Sequence, residues 1–424
     1  MPRASVLLRF LVALATLLGL GALVAVQPAA AARGHVAAPR TATAWTPSPV
    51  PMPTLPGGGT AVSAVLYGSS CSSTAFCVAV GTANYHFPLV ETYSGGSWTA
   101  SIAPLPAGGG TNGTLYSVSC PSDGTCAAVG AYNDPSFHQD GLLDTLSGGT
   151  WTPTQAGQAS TGLVGLVNLN SVSCANASTC MAVGTDDNAS WNALIYVLRS
   201  GTWQLDSAPP MPSNYTGNGL SLESVSCPDA SDCVVVGTYD SNGLILTLSS
   251  GSWTAQQAPV PNGTQSTGPV GLNAVDCPGP SDCVAGGFYS QSATTQNALF
   301  DTLQSGTWSA SEAPVPAGAS PYQWAEINGI SCPATGACMA DGTVLNVPGT
   351  QESGMLLSQS GTTWSAVPAP VPVTAGPSAS ASRALNARTT TRLQGISCAR
   401  TGFCRAVGSH GKHPLIEKLG RTHP

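Results

Sequence analysis

Short apolar stretches alternating with polar residues follow one another along most of the chain, separated by clusters of Gly, Ser, Asp and Pro. One stretch reads clearly. Leu222-Glu-Ser-Val-Ser-Cys227 predicts a strand, Pro228–Asp232 a turn, and Cys233-Val-Val-Val-Gly237 the returning strand. Leu244-Ile-Leu-Thr-Leu248 predicts a third strand, Ser249–Ser252 a second turn, and Trp253–Gln257 a fourth strand. Ala258-Pro-Val-Pro261 then ends pairing, because proline cannot donate to a ladder. Strands of this length joined by Gly- and Ser-rich turns predict antiparallel sheet.

This unit recurs. Cysteines fall at 71/77, 120/126, 174/180, 227/233, 277/283, 332/338 and 398/404, each pair a C-x5-C. Trp45, Trp98, Trp151, Trp203, Trp253, Trp308 and Trp364 keep step with them. Two residue classes sharing one period of about 53 residues, with four strands per period, predict a seven-bladed β-propeller. The chain enters on a lone fourth-strand segment, Thr43-Ala-Trp45, and leaves after a third strand, Pro414–Leu419. The N-terminal strand is therefore expected to complete the last blade and close the fold, leaving no open edge. The periodic Trp read as packing residues.

Each C-x5-C lies across a tight hairpin, where opposed Cβ atoms are close enough to bridge. Seven intra-repeat disulfides follow: Cys71 with Cys77, Cys120 with Cys126, Cys174 with Cys180, Cys227 with Cys233, Cys277 with Cys283, Cys332 with Cys338, and Cys398 with Cys404. Zinc would need closer spacing and four ligands. Disulfides require an oxidising compartment. Residues 1–32 fit this as a signal peptide: Arg3 and Arg9 precede the apolar run Phe10–Val26, and Ala30-Ala31-Ala32 offers a cleavage site. The expected layout is a signal peptide (1–32), a linker (33–42), the propeller (43–420, with a flexible crossover insertion at 374–392) and a tail (421–424). The expectation is a secreted, extracellular monomer with no membrane contact after cleavage.

Composition narrows the function. Only 8% of the 424 residues are charged, and the net charge is −7, which excludes a long helical protein and argues against a nucleic-acid partner. The charge is unevenly placed. Residues 41–382 hold 19 Asp and Glu against the single Arg199, whereas 383–424 hold eight Arg and Lys against Glu417. Asp123, Asp229, Asp232 and Asp282 read as turn formers in the C-x5-C hairpins. The remaining acids read as an acidic, solvated body.

The order of strands, Gly, Trp and A-P-x-P resembles kelch repeats, and Gly286-Gly287 reproduces the kelch diglycine. Elsewhere Val-Gly stands in its place: Val80-Gly81, Val129-Gly130, Val183-Gly184 and Val236-Gly237. Ser94-Gly-Gly-Ser-Trp98 and Ser147-Gly-Gly-Thr-Trp151 resemble the Asp-box (BNR) turns of sialidases, without the Asp. Over about residues 43–420 the chain is similar to secreted bacterial propellers with C-x5-C hairpins. The resemblance implies a fold and leaves the function open.

In such a fold the first-to-second and third-to-fourth turns share one face. The second-to-third loops and the crossovers share the other, and only these vary from repeat to repeat. The candidate ligand-binding residues on this loop face are Tyr85, His86, Phe137, His138, Asp140, Asp187, Trp191, Tyr239, Asp240, Tyr289, Tyr322 and Trp324. Aromatic rings beside carboxylates and amides suit stacking on sugars or docking of a peptide. The expected function is therefore binding of a glycan or protein ligand without catalysis. A hydrolase using loop-face carboxylates (Asp140, Asp187, Asp240, Glu326), or a lyase using His86 or His138 with a Tyr, is the alternative. A structural envelope protein is a third reading. A sialidase is excluded, since Arg199 alone serves the first six repeats and three clustered Arg are needed. No nucleotide, zinc-protease or nucleophile-elbow motif occurs. No cofactor is implied. Calcium would fall at Asp186-Asp187-Asn188 or Asp134/Asp140, neither of which has the spacing of a calcium loop.

Overall fold

The computed structural model describes residues 43–48, 50–110, 112–157, 166–188, 190–261, 268–292, 294–317, 324–346, 351–372 and 390–421. The predicted signal peptide and linker lie outside these residues, as does the crossover from 373 to 389. All regular structure among the described residues is β. After β1 (Thr43–Ser48) come β2 (Ala64–Cys71), β3 (Cys77–Ala83), β4 (Phe87–Ser94) and β5 (Ser97–Ile102). The second repeat holds β6 (Gly113–Ser122), β7 (Thr125–Asn133), β8 (Gln139–Ser147) and β9 (Thr150–Ala156). The third holds β10 (Leu166–Asn176), β11 (Thr179–Asn188), β12 (Ser190–Arg199) and β13 (Thr202–Leu205). The fourth holds β14 (Leu220–Ser226), β15 (Cys233–Tyr239), β16 (Asn242–Ser249) and β17 (Ser252–Gln257). The fifth holds β18 (Val270–Gly279), β19 (Asp282–Ser292), β20 (Thr295–Gln304) and β21 (Thr307–Glu312). The sixth holds β22 (Trp324–Ser331), β23 (Met339–Asn346), β24 (Gln351–Ser360) and β25 (Thr363–Pro368). The last holds β26 (Thr391–Arg400), β27 (Phe403–His410) and β28 (His413–Arg421).

Every repeat is a four-stranded antiparallel set in chain order, and β1 supplies the fourth strand beside β28, with Trp45 opposite Leu419. The sets form six sheets, because one parallel pair, Gln296 with Trp324, joins the fifth and sixth repeats into an eight-stranded sheet. β26 takes up Thr391 and Arg392, which the sequence assigned to the crossover, and β28 runs on to Arg421.

All seven disulfides form as expected. Cys71 is bonded to Cys77, Cys120 to Cys126, Cys174 to Cys180 and Cys227 to Cys233. Cys277 is bonded to Cys283, Cys332 to Cys338 and Cys398 to Cys404. The Cα atoms of each pair lie 3.9–4.1 Å apart. The returning cysteines point into the core: Cys77, Cys126, Cys180, Cys233, Cys283, Cys338 and Cys404 are all buried. Each bridge is thus part of the packing as well as a staple.

A serine or aspartate just before the first Cys binds each repeat to the next. The Cys120 N–H donates to Ser70 Oγ (2.9 Å), Cys174 to Ser119 (3.0 Å), Cys227 to Ser173 (3.0 Å) and Cys277 to Ser226 (3.0 Å). Cys332 donates to Asp276 Oδ2 (2.6 Å), Cys398 to Ser331 (3.0 Å), and Cys71 to Ser397 of the last repeat (2.9 Å). Because equivalent positions are linked, neighbouring first strands run in the same direction and in step. All C-x5-C turns therefore lie at one end of the strands.

The core is divided in the same way. Each of its apolar clusters draws on two consecutive repeats, and one cluster joins Val407 and Ile416 of the last repeat to Leu66 and Leu89 of the first. One periodic Trp packs on each cluster, as expected of packing residues. Trp364, for example, stacks on Phe300 of the preceding repeat at 4.1 Å.

The recurring glycine of the second strand has a steric cause. Each first strand carries a β-bulge at the residue four before its Cys, so that residue has no partner across the ladder. The bulge presses the carbonyl two residues earlier against the opposite glycine. A Cβ on Gly81, Gly130, Gly184 or Gly408 would stand 1.9 Å from that oxygen, with no room for a methyl group. The Val-Gly motif therefore marks a bulge.

The acidic body is partly a buried one. Glu91, Asp144, Asp301 and Glu417 occupy the same third-strand position in four repeats, fully buried and with no hydrogen-bond partner among the described residues. Burial alone pushes their carboxyls up, to about 7 for Asp144 and about 8 for the other three. Leu246 and Leu357 fill this position in the fourth and sixth repeats.

Candidate functional site

The structure scatters the predicted loop-face residues. Asn84 and Tyr85 adopt left-handed backbone in the β3–β4 loop, which turns the Tyr85 ring outward, 67% exposed. His86 and Tyr85 form one wall of a groove of about 240 Å³ between the first two repeats. Asn112, Thr114, Tyr116, Tyr132, Asn133 and Gln139 supply most of the rest. Between the fourth and fifth repeats, at the equivalent place, Asp240 and Ser241 face Pro269, Val270 and Phe288 across a groove of about 330 Å³. Asp240 is also a strut, since its carboxylate accepts the Thr216 and Asn218 N–H groups and so ties the crossover to the loop.

Other predicted residues serve their own loops or the core. Phe137 projects from the β7–β8 loop, 81% exposed. His138 lies 3.1 Å from Asp134, whose carboxylate also accepts the Ser136 and His138 N–H groups. These bonds, that of the His138 backbone foremost, hold the Asp134 carboxyl below its usual range. Asp140 is buried and accepts from Gln155 Nε2 at 2.9 Å; desolvation raises its carboxyl. Tyr239 and Tyr289 are fully buried. Their hydroxyls donate to Asn214 Oδ1 at 2.9 Å and Glu312 Oε2 at 2.8 Å. Asp187 and Trp191 stand opposite each other on β11 and β12, but their side chains lie outside the described set. Tyr322 also lies outside the described residues. Trp324 opens β22, 55% exposed. Of the turn aspartates, Asp229 accepts the Ser231 and Asp232 N–H groups, while Asp123 accepts the Ser72 and Ser73 hydroxyls of the preceding repeat.

The bulged residues form a polar lining that sequence reading missed. The first strands of all seven repeats bound an inner cavity of about 170 Å³. Tyr67 and Tyr116 line it in the first two repeats, followed by Asn170, Glu223, Asn273, Asn328 and Gln394. Each stands four residues before its Cys, between a buried Leu or Ile and a small residue. The cue was a polar side chain at a fixed distance from Cys, just after the Leu or Ile that stands opposite the second-strand glycine.

A charged cluster stands beside this lining. Arg392 makes a two-armed ion pair with Glu352. Glu326, on the first strand of the sixth repeat, has its carboxyl raised by desolvation and then by the charge of Glu352. The Tyr67 hydroxyl is raised by burial first and by Tyr85 second, with Arg392 opposing. Glu326, Glu352, Arg392, Tyr67 and Tyr85 are therefore electrostatic neighbours. The sequence singled out Glu326 and Tyr85 separately but not their neighbours: Glu352 lies on β24 of the same repeat as Glu326, Tyr67 on β2 of the first repeat, and Arg392 in the basic C-terminal segment.

No protein-family model matches the chain, and no curated protein sequence does. Among solved structures the chain is similar to the BP39L lectin from Burkholderia pseudomallei, with 12% identity and a TM-score of 0.50 over 86% of this chain and 98% of that one. It is less similar to an α-L-arabinofuranosidase from Fusarium graminearum: 10% identity, TM-score 0.44, 84% of this chain and 93% of that one. A lectin from Aleuria aurantia gives 13% identity and a TM-score of 0.42 over 73% of this chain and 97% of that one. At these identities the likeness is one of fold, and only the first carries weight.

Proposed function

We propose that the chain is a secreted, closed, seven-bladed β-propeller of kelch-like and Asp-box-like type that binds a glycan through its loop face and performs no chemistry there. Closure is supported by the Cys71–Ser397 bond, the cluster shared by the last and first repeats, and the β1–β28 pairing. Secretion is supported by the pairing of every cysteine. The observation that carries the binding reading is the pair of grooves at equivalent places between consecutive repeats. The first is lined by amides, hydroxyls and aromatic rings, groups that together donate to, accept from and stack on sugars. A glycan array probed with the purified protein tests this. Binding is expected, and Tyr85→Ala and Asn133→Ala should remove a hit seated in the first groove. A protein that binds peptides and no glycan would replace the glycan with a protein ligand.

Glu326 favours a second reading. A carboxyl raised by burial beside a second carboxylate is the arrangement a glycosidase acid needs. Reducing-sugar release from a polysaccharide panel, lost in Glu326→Gln, would establish hydrolysis. Absence of release from any polysaccharide counts against it.

A further inference from the structure

The inner cavity has a chemistry of its own, although Tyr116 also lines the first loop-face groove. Three of its amides are oriented by bonds to the next repeat. Asn170 Nδ2 donates to the Leu222 carbonyl (2.9 Å), Asn273 Nδ2 to that of Ile327 (3.0 Å), and Asn328 Nδ2 to that of Leu393 (2.8 Å). An amide whose nitrogen is committed in this way presents its oxygen elsewhere, and these three oxygens accept no bond from a described residue. The Glu223 carboxylate stands among them, accepting the Ser221 hydroxyl at 2.6 Å. No Lys or Arg lines the cavity, and Arg392, whose charge reaches Tyr67, is already paired with Glu352. Tyr67 and Tyr116 complete one side, their rings 5.7 Å apart and inclined at 56°.

Fixed amide oxygens, an uncompensated carboxylate and two aromatic rings form a surface for a donor-rich cation. We infer that the cavity binds a primary ammonium group, carried by a small amine or at the end of an unbranched side chain. A carboxylate or phosphate ligand would be repelled by Glu223, and a neutral polyol would leave its charge unmatched.

Titration calorimetry with cadaverine, with 1,5-pentanediol as the neutral analogue of the same length, tests this on the full mature chain. Cadaverine is expected to bind and pentanediol to bind at least about tenfold more weakly, as loss of a charge-assisted bond implies. Glu223→Gln should weaken cadaverine about tenfold, and Gln394→Glu, which adds a second carboxylate to the lining, should tighten it. Asn133→Ala, in the loop-face groove, should leave it unchanged, so failure here is distinct from failure of the glycan reading. Unchanged melting temperatures would show that the variants fold. The inference is overturned if cadaverine does not bind at millimolar concentration, binds no better than pentanediol, or binds equally well to folded Glu223→Gln.

Discussion

The two ends of the strands follow different rules. At the turn end every repeat carries a disulfide, and a Ser or Asp there accepts the Cys N–H of the next repeat. Five of the third-to-fourth hairpins there turn on a left-handed Gly-Gly or Ser-Gly pair: Gly95-Gly96, Gly148-Gly149, Ser200-Gly201, Ser250-Gly251 and Ser305-Gly306. At the loop end the left-handed residues other than glycine are Asn84, Tyr85, Phe137, Asp240 and Ser241, and no two of the described loops share a sequence. Bonds between repeats need matching partners on both sides, so the turn end cannot vary one repeat at a time. The loop end is tied within itself by side chains, as Asp134 and Asp240 show, and to the next repeat by backbone groups, as the Gly113 N–H on the His86 carbonyl and the Val270 N–H on the Ser241 carbonyl show; backbone bonds need no particular side chain, so its sequence is free to diverge.

The most severe way to break the shared framework is at the bulge. Gly184→Ala would put a methyl group 1.9 Å from the Asn168 carbonyl oxygen. It should cost about 3 kcal/mol or more, or abolish folding, as read by denaturant melts. Next come the buried carboxyls. Unfolded, they ionise near the ordinary value of about 4, whereas folded they hold their protons up to about 7 for Asp144 and about 8 for Glu91, Asp301 and Glu417. Between these values the folded state binds more protons, so stability should fall as pH rises from about 4 to about 8 and be fully present below that window. Asp144→Leu, which copies Leu246 and Leu357, should raise stability at pH 8 by about 1–3 kcal/mol and flatten the pH profile.

Cys120→Ser with Cys126→Ser removes one staple and should cost about 2 kcal/mol, leaving loop-end ligand binding intact. Phe137→Ala, at an exposed loop tip, should shift stability by less than about 0.5 kcal/mol. A loop-tip change as costly as the disulfide would erase the contrast between the two ends.

Features carried by a strict period were legible in the sequence. The Cys spacing predicted the bridges, and the unpaired segments at 43–45 and 414–419 predicted the β1–β28 pairing. Features that depend on partners from elsewhere in the chain were not. Tyr239 and Tyr289 read as exposed platforms because Asn214 and Glu312, which satisfy their hydroxyls, lie far off in sequence. Glu91 and Asp144 read as solvated because a carboxylate facing alanines across a ladder looks the same in sequence as one facing water. The cavity lining was hidden for a third reason. One polar residue in an alternating strand is ordinary, and only the bulge turns it inward.

Hydrogen–deuterium exchange with and without a bound glycan tests the division most directly. Ligand should slow exchange in the β3–β4 loop and at the start of β6, around Tyr85, His86 and Asn112, and leave the C-x5-C turns unchanged. Protection confined to the turn end would contradict it.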